Sequence, residues 1–166
     1  MKLLLYGFES FGQHVTNISQ EIVDRVAVRP DVVKLVLPVR FNDASILDFV
    51  RRIKPDYILG LGQYPEGNNI RIEKQAKNEW ASKSKPSRLL IKDGPKTVVV
   101  TLGLKSDTNS VVSNDAGRYF CNYSMYLLLT NPETKNIPFA FVHIPKSFNL
   151  ELAVGFVEAK IDEILA

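Results

Sequence analysis

The hydrophobic positions of this chain form short runs that alternate between strand-like and helix-like spacing. Compact apolar runs predict buried strands at 2–8, 32–39, 57–62, 110–114 and 138–145. Apolar residues three or four positions apart predict amphipathic helices within 16–26, 42–56, 121–130 and 150–166. Strand and helix therefore alternate along most of the chain.

The ends of these helices carry ordinary start and stop signals. Thr16 or Asn17 is expected to cap the first helix, and Asn42 or Asp43 the second. In the last helix, four apolar residues are expected on or near one face: Leu152, Phe156, Ile161 and Leu165.

The stretch 69–101 has a different pattern and predicts additional β structure. Residues 70–73 alternate between apolar and polar, as in a half-buried strand. Two apolar runs, at 88–91 and 97–100, flank Asp-Gly-Pro at 93–95, which predicts a β-hairpin between them.

Together these elements predict an α/β fold, a three-layer sandwich with a mixed, centrally parallel sheet and helices on both faces. Residues 1–166 are expected to form a single domain. Ligand sites in such sheets lie at the carboxyl ends of the strands. The loops expected there are 7–12, 37–41, 60–68, 113–117 and 143–147.

Composition narrows the class of protein but not its activity. The net charge is +3, from 21 basic and 18 acidic residues, which is too mild and too mixed to indicate nucleic-acid binding. The basic stretch 83–88 is better explained as a solvated loop. No apolar run approaches the ~18 residues of a membrane span, and 1–8 is too short for a signal peptide.

Cys121 is the one cysteine of the chain, so an intramolecular disulfide is excluded and a reducing, cytoplasmic compartment is expected. It lies where a helix is predicted to begin, and the positive end of a helix dipole favours thiolate over thiol. Taken alone, such a cysteine is more often a core residue than a nucleophile.

A nucleophilic thiol needs a base, and the base needs an acceptor that orients it. His143 ends a predicted strand at the site edge of the sheet, whereas His14 lies in a polar loop without an evident role. Glu73 belongs to the alternating strand and is a candidate acceptor. A surface ion pair of Glu73 with Arg71 or Lys74 is equally consistent with the spacing. The residues alone thus indicate an α/β domain with a cysteine hydrolase as one interpretation.

Six segments in order along the chain resemble motifs of the pyroglutamyl peptidase type I family. They are GFESFG (7–12) followed by Asn17, LPVRF (37–41), KPDYILGLGQ (54–63), IRIEKQAKN (70–78), SNDAGRYFCNYSMY (113–126) and FVHIP (141–145). Each motif is weak by itself, but six in order form a specific signal.

This resemblance implies a cysteine peptidase that removes N-terminal pyroglutamyl residues from peptides through a thioester acyl-enzyme. It implies a triad of Cys121, His143 and Glu73. The residues implied to surround the lactam ring are Phe8, Phe11, Asn17, Gln63, Tyr119 and Phe120. The expected partners are N-terminally pyroglutamylated peptides, without cofactor, metal, nucleic acid or membrane, and a homo-oligomer remains open.

Several departures from the family pattern leave other hypotheses open. Ser10 and Ile18 replace prolines, and Tyr64-Pro65 follows Gln63 where the family has smaller residues. The loop after the Glu73 strand is shortened, and a helix that the family places before the strand leading to Cys121 is largely missing. The family's loop arginine has no secure counterpart. A hydrolase of another N-acyl group or small amide, or a non-catalytic binding protein, are therefore alternatives.

Overall fold

A mixed sheet of six strands is the largest element in a computed structural model that describes residues 1–13, 15–40, 45–82 and 84–166. The strand order is β2-β1-β3-β10-β4-β9. The strands are β1 Leu3–Phe8, β2 Val32–Leu37, β3 Tyr57–Tyr64, β4 Ile70–Glu73, β9 Ser110–Ser113 and β10 Phe139–Pro145. All six confirm predicted strands.

Four of these strands run in one direction and two in the other. β2, β1, β3 and β10 pair in parallel, whereas β4 pairs antiparallel with β10 and parallel with β9. The mixed, centrally parallel sheet expected from the sequence is therefore confirmed.

Helices cover both faces of the sheet, as expected for a three-layer α/β sandwich. They are α1 Ile18–Arg25, α2 Ser45–Ile53, α3 Phe120–Thr130 and α4 Leu150–Leu165. α1 and α4 pack on one face with the aliphatic core that includes Leu5, Leu61 and Val142. α2 and α3 pack on the opposite face, where Tyr6, Phe141 and Met125 are buried.

Within the described residues, side chains cap α1 and α4. The Asn17 side chain accepts a hydrogen bond from the Ser19 N–H at the start of α1, which confirms that cap, and Asn149 caps α4. The predicted α2 caps Asn42 and Asp43 lie outside the described residues, as do Phe41 of the second motif and His14.

The predicted hairpin around residues 93–95 is wrong. β8 Thr97–Val99 pairs with β5 Gln75–Lys77, and β7 Lys85–Arg88 pairs with β6 Trp80–Ser82. The Asn78 side chain accepts from the N–H groups of Leu90 and Ile91 and donates to the carbonyls of Ile91 and Gly94. A buried amide thus satisfies backbone groups that the hairpin would have paired.

Leu152 does not share the buried face of the last helix with the other three apolar residues expected on or near one face. It is 58% exposed, whereas Phe156 and Ile161 are buried and Leu165 is partly buried. The buried stripe of α4 follows Ala153, Val157 and Ile164 instead. In the described part of the chain, no helix is long and apolar enough to cross a membrane.

Candidate active site

A cleft of about 540 Å³ lies at the carboxyl ends of β3 and β10, beside the start of α3. Its walls bring together eight of the nine residues singled out from the sequence. They are Phe8, Phe11, Asn17, Gln63, Tyr119, Phe120, Cys121 and His143. The ninth, Glu73, is fully buried behind His143.

His143 and Glu73 form a buried pair across two strands. Glu73 lies opposite Phe141 in the antiparallel pair of β4 and β10, so its side chain shares a face with Phe141 and His143. The Glu73 Oε1 atom lies 2.8 Å from His143 Nδ1. Among the described residues, Glu73 Oε2 has no hydrogen-bond partner. The carboxylate therefore fixes the ring, with Nε2 left to face the cleft.

Cys121 is the second residue of α3, and its neighbour Asn122 fixes the start of that helix. The Asn122 Oδ1 atom accepts from the Lys77 N–H at 2.8 Å, and Nδ2 donates to the carbonyls of Lys77 and Glu79. The N-cap residue Tyr119 provides no side-chain cap. First-turn N–H groups beside the thiol therefore remain available to an anion.

The thiol and the imidazole meet above Gly62 of β3. A Cβ atom at this position would lie 2.5 Å from Cys121 Sγ and 3.0 Å from His143 Nε2. Such distances are far below van der Waals contact, so only glycine leaves room for both groups. The thiol is also close enough to the ring to raise the pKa of His143. Cys121 and Glu73 thus lie on either side of the same imidazole.

This arrangement changes the protonation of His143. Burial lowers the pKa of His143, but the charge and hydrogen bond of Cys121, followed by those of Glu73, raise it to about 9. An imidazolium is therefore favoured at neutral pH. Paired with a thiolate, it is the form that a cysteine nucleophile requires.

The route by which Cys121 reaches the cleft differs from the simple expectation. The loop 113–117 was expected at the carboxyl ends of the strands together with the other site loops, but β9 runs opposite to β3 and β10. The segment 114–119 leads the chain back to the cleft through Gly117, which has φ +78° and donates its N–H to Asp115 Oδ1. Glycine suits this left-handed turn because it has no Cβ.

The aromatic residues expected around the ligand differ in their exposure. Phe8 is buried and donates its N–H to Ser19 Oγ, whereas Phe11 is 40% exposed. Tyr119 is also exposed, and its ring centroid lies 6.1 Å from that of Phe120. These rings provide flat apolar walls on one side of the thiol.

The two amides of this wall have defined orientations. Asn17 Oδ1 accepts from Ser19 N–H and Oγ, while Nδ2 donates to the Glu9 carbonyl, so Asn17 mainly fixes the loop 7–12. Gln63 Oε1 accepts from the Ile18 N–H at 3.0 Å. Because a donor fixes Oε1, Gln63 Nε2 is the atom left for a ligand, and no described residue accepts a hydrogen bond from it.

Sequence reasoning missed three features of the site. Gly62 admits the thiol, and the two-residue spacing of Gly60 and Gly62 in β3 was the available signal. Tyr6 hydrogen-bonds Ser124 at 2.9 Å, and Ser124 Oγ donates to the Cys121 carbonyl, a connection without a sequence signal. Arg71 lines the cleft, and its period-two spacing from Glu73 was the signal.

Metal binding is not part of the expectation from the sequence. Within 1–13, 15–40, 45–82 and 84–166, no cluster of three or more histidine, cysteine, aspartate or glutamate side chains is placed to hold a metal ion.

Comparison with known proteins identifies relatives along almost the whole chain. The family model for pyroglutamyl peptidase matches residues 1–151. The chain is 31% identical to the pyrrolidone-carboxylate peptidase of Pyrococcus furiosus over 172 aligned positions, covering 87% of this chain and 81% of the relative. The corresponding protein of Lactobacillus johnsonii is 29% identical, with coverage of 87% and 78%.

Solved structures give the same result at the level of the fold. The crystal structure of pyrrolidone carboxyl peptidase from Fervidobacterium islandicum superimposes with a TM-score of 0.86 at 28% identity, covering 99% of this chain and 98% of that one. A mutant of the Pyrococcus furiosus enzyme gives a TM-score of 0.83 at 26% identity, covering 98% and 97%. With the motifs, the fold and these relatives in agreement, the chain belongs to the pyroglutamyl peptidase family.

Proposed function

We propose that this protein is a cysteine omega-peptidase that removes N-terminal pyroglutamyl residues from peptides. Cys121 acts as the nucleophile, His143 as the acid and base, and Glu73 as the group that orients the imidazole. The meeting of Cys121 and His143 above Gly62, with the buried Glu73 hydrogen-bonded behind the ring, is the observation that carries the proposal in a member of this family.

In the acylation step, the Cys121 thiolate attacks the carbonyl carbon of the scissile amide. The oxyanion that forms is stabilised by first-turn N–H groups of α3. The His143 imidazolium donates its Nε2 proton to the leaving amine as the C–N bond breaks. A thioester and a free peptide amine result, and the positive charge on His143 is lost.

In the deacylation step, His143 acts as a base. The thioester carries no thiolate charge, so the main influence that raises the pKa of His143 is absent. The neutral ring takes a proton from water, the hydroxide adds to the thioester carbonyl, and the C–S bond breaks. Pyroglutamate leaves, and the thiolate–imidazolium pair is restored.

The acyl pocket lies on the β1 side of Cys121. Gln63 Nε2 faces the cleft as a donor for the lactam carbonyl, since its Oε1 is engaged by the Ile18 N–H. Phe8, Phe11, Tyr119 and Phe120 enclose the flat ring. Asn17 holds the loop that carries Phe11. Acyl groups that lack the ring amide are excluded, because they would leave the polar groups of the pocket without hydrogen-bond partners.

The setting of this activity is the cytoplasm, where a reducing environment keeps Cys121 as a free thiol. Peptides that begin with pyroglutamate are the partners. Nucleic acids and membranes are not partners of the protein. Light scattering measures its molar mass in solution and thus tests for a homo-oligomer. The chain acts as a single domain.

Release of a fluorescent amine from its pyroglutamyl amide tests the proposal. The wild type should release the amine and Cys121→Ser should not, while circular dichroism shows equal folding. In parallel, iodoacetamide should label Cys121 in the folded protein much faster than a buried thiol, as mass spectrometry of the intact chain will show. If the wild type releases no amine and iodoacetamide does not label Cys121 rapidly, Cys121 is a core residue and the protein is not a peptidase.

Tyr64 and Pro65 favour a second candidate, a hydrolase with the same triad for another N-acyl group. The Tyr64 ring lies edge-on to His143 with centroids 6.0 Å apart, so it narrows the cleft next to the base. Replacement of Tyr64-Pro65 by Ala-Gly should lower KM for pyroglutamyl amides if these side chains crowd the ring. Rapid alkylation of Cys121 without any pyroglutamyl cleavage by either protein would favour the second candidate.

A further inference from the structure

Arg71 is a charged residue of the cleft that stacks on an aromatic ring. Its guanidinium lies over the Tyr64 ring, 4.4 Å from the centroid. Among the described residues, none forms a hydrogen bond or ion pair with the Arg71 guanidinium. The other arginine of the cleft, Arg118, is paired with Glu79 at 3.2 Å. Arg71 thus offers a fixed guanidinium with free N–H groups.

The sheet places Arg71 next to the base of the site. Arg71 is the direct partner of His143 in the antiparallel pair of β4 and β10. Opposite residues of such a pair share one face, with Cβ atoms about 5 Å apart. Both side chains line the same cleft.

The strand order separates Arg71 from the acyl pocket. Phe8 and Gln63 lie on β1 and β3, whereas Arg71 lies on β4, and His143 on β10 stands between them. In the proposed reaction, His143 protonates the leaving amine, so that nitrogen must lie at His143 Nε2. The residue that follows pyroglutamate then continues away from β3 and toward β4.

We propose that Arg71 binds a carboxylate of the leaving residue and thereby sets the substrate class, an inference that rests on the proposed function. The preferred substrates are pyroglutamyl peptides whose second residue carries a carboxylate, from an acidic side chain or from a free C-terminus. A planar guanidinium binds a carboxylate through two parallel hydrogen bonds. Stacking on Tyr64 orients the fork before the substrate arrives.

Nearby carboxylates set the limits of this recognition. Asp115 is neutralised by Lys77 at 2.9 Å, so it does not compete for Arg71. Glu66 also lines the cleft, on the loop after β3, and forms no ion pair with a described residue. Glu66 therefore weakens the attraction for an anionic substrate. Its removal should strengthen the preference for charged substrates, whereas removal of Arg71 should weaken it.

The kinetic test compares three substrates: pyroglutamyl-glutamine amide, pyroglutamyl-glutamate amide and pyroglutamyl-alanine with a free carboxylate. The wild type should favour the charged substrates over the neutral one in kcat/KM, by about tenfold, the scale of one charged hydrogen bond. In Arg71→Gln, this ratio should fall close to one, and in Glu66→Gln it should rise. The charged substrate with the larger ratio identifies the carboxylate source.

A matched control and a charge-preserving variant sharpen the comparison. Arg52 lies at the end of α2 over the Phe49 ring, and Arg52→Gln removes the same charge outside the cleft without altering the ratio. Arg71→Lys keeps the charge but not the planar guanidinium, so it should retain only part of the preference for charged substrates. The proposal would be overturned if the ratio of kcat/KM for charged and neutral substrates were equal in wild type and Arg71→Gln.

Alkylation separates this inference from the peptidase assignment. Iodoacetate carries a carboxylate and iodoacetamide does not, and both label Cys121 without any peptide. The iodoacetate-to-iodoacetamide rate ratio should fall several-fold in Arg71→Gln and stay unchanged in Arg52→Gln. A fall without pyroglutamyl cleavage by wild type would reject the proposed function but retain anion binding by Arg71. Cleavage with unchanged ratios would reject the role of Arg71 alone.

Discussion

The two faces of the central sheet differ in what the same strands present to them. From β10, Ala140, Val142 and Ile144 enter the aliphatic core under α1 and α4. Phe141 and His143 point to the opposite face, toward α3 and Cys121. One strand therefore supplies a plain core on one side and the base of the site on the other, because successive side chains alternate.

The faces also differ in how β3 fills its positions. Leu59 and Leu61 are fully buried in the aliphatic core, whereas the alternate positions are Gly60 and Gly62. The rings of Tyr6 and Phe141 occupy the space above Gly60, and the thiol and imidazole that above Gly62. The site face of β3 is therefore distinguished by the absence of side chains at Gly60 and Gly62 as much as by its polar residues.

The two faces should differ most in how activity responds when the adjacent β10 residues His143 and Val142 are each replaced by alanine. His143→Ala should abolish release of a fluorescent amine from a pyroglutamyl amide, since both proton transfers are lost. Val142→Ala removes a buried side chain from the other face, and should lower the free energy of unfolding by about 2 kcal/mol. Its kcat should stay near the wild-type value. Equal losses of kcat would contradict a functional division between the faces.

Glu73→Gln tests whether the buried carboxylate belongs to the chemistry. The amide keeps the shape but loses the charge that stabilises the imidazolium, so kcat should fall by roughly 10³- to 10⁴-fold. Thermal unfolding followed by circular dichroism should show a folded protein. Near-wild-type kcat would mean that another acid orients His143.

Adding one methyl group at Gly62 should separate the site from the rest of the fold. Gly62→Ala places Cβ against Cys121 Sγ and should reduce kcat/KM by about 10²-fold through displacement of the thiol. Gly155→Ala is the matched control. Gly155 is helical with no heavy atom within 4 Å of the new Cβ, so this change should raise stability by about 0.5–1 kcal/mol. Full activity in Gly62→Ala would refute the close approach.

The protonation of His143 gives a prediction in pH. Its raised pKa keeps the imidazolium through neutral pH, and the proton is lost as pH rises through about 9. Above that value kcat/KM should fall about tenfold per pH unit. The rate at which iodoacetamide alkylates the Cys121 thiolate should not fall.

Nuclear magnetic resonance can assign this titration because the chain has 2 histidines. Removing the thiolate in Cys121→Ser should lower the pKa of His143, while the signal of His14 serves as an internal reference. An unchanged His143 titration would exclude a thiolate–imidazolium pair.

The smallest effect is expected at Tyr6, where the site face meets its core. Burial raises the pKa of Tyr6, which therefore stays a neutral hydroxyl and hydrogen-bonds Ser124. Tyr6→Phe should lower the free energy of unfolding by about 1 kcal/mol and kcat only a few-fold. Urea denaturation and steady-state kinetics would measure both. A loss as large as that of Glu73→Gln would place Tyr6 in the catalytic chemistry.

The identity and order of the main elements could be predicted from the sequence because each depends on a local pattern. Period-two and period-3.6 hydrophobicity located the six strands of the sheet and the four helices, and alternation placed Glu73 and His143 on strands. The candidate catalytic residues also came from the sequence, through helix position and six ordered motifs. These signals need no knowledge of which strands pair.

Pairing, direction and close approach were decided by the tertiary structure. Residues 88–91 and 97–100 had the pattern of a hairpin, but the amide of Asn78 accepts the hydrogen bonds of the Leu90 and Ile91 N–H groups. The reversed direction of β9 and the exposure of Leu152 likewise depend on distant partners. The empty space at Gly62 and the position of Arg71 opposite His143 exist only once β3, β10 and β4 are adjacent. Non-local contacts of this kind produce no periodic pattern in the sequence. The strands and helices that make these contacts do produce one.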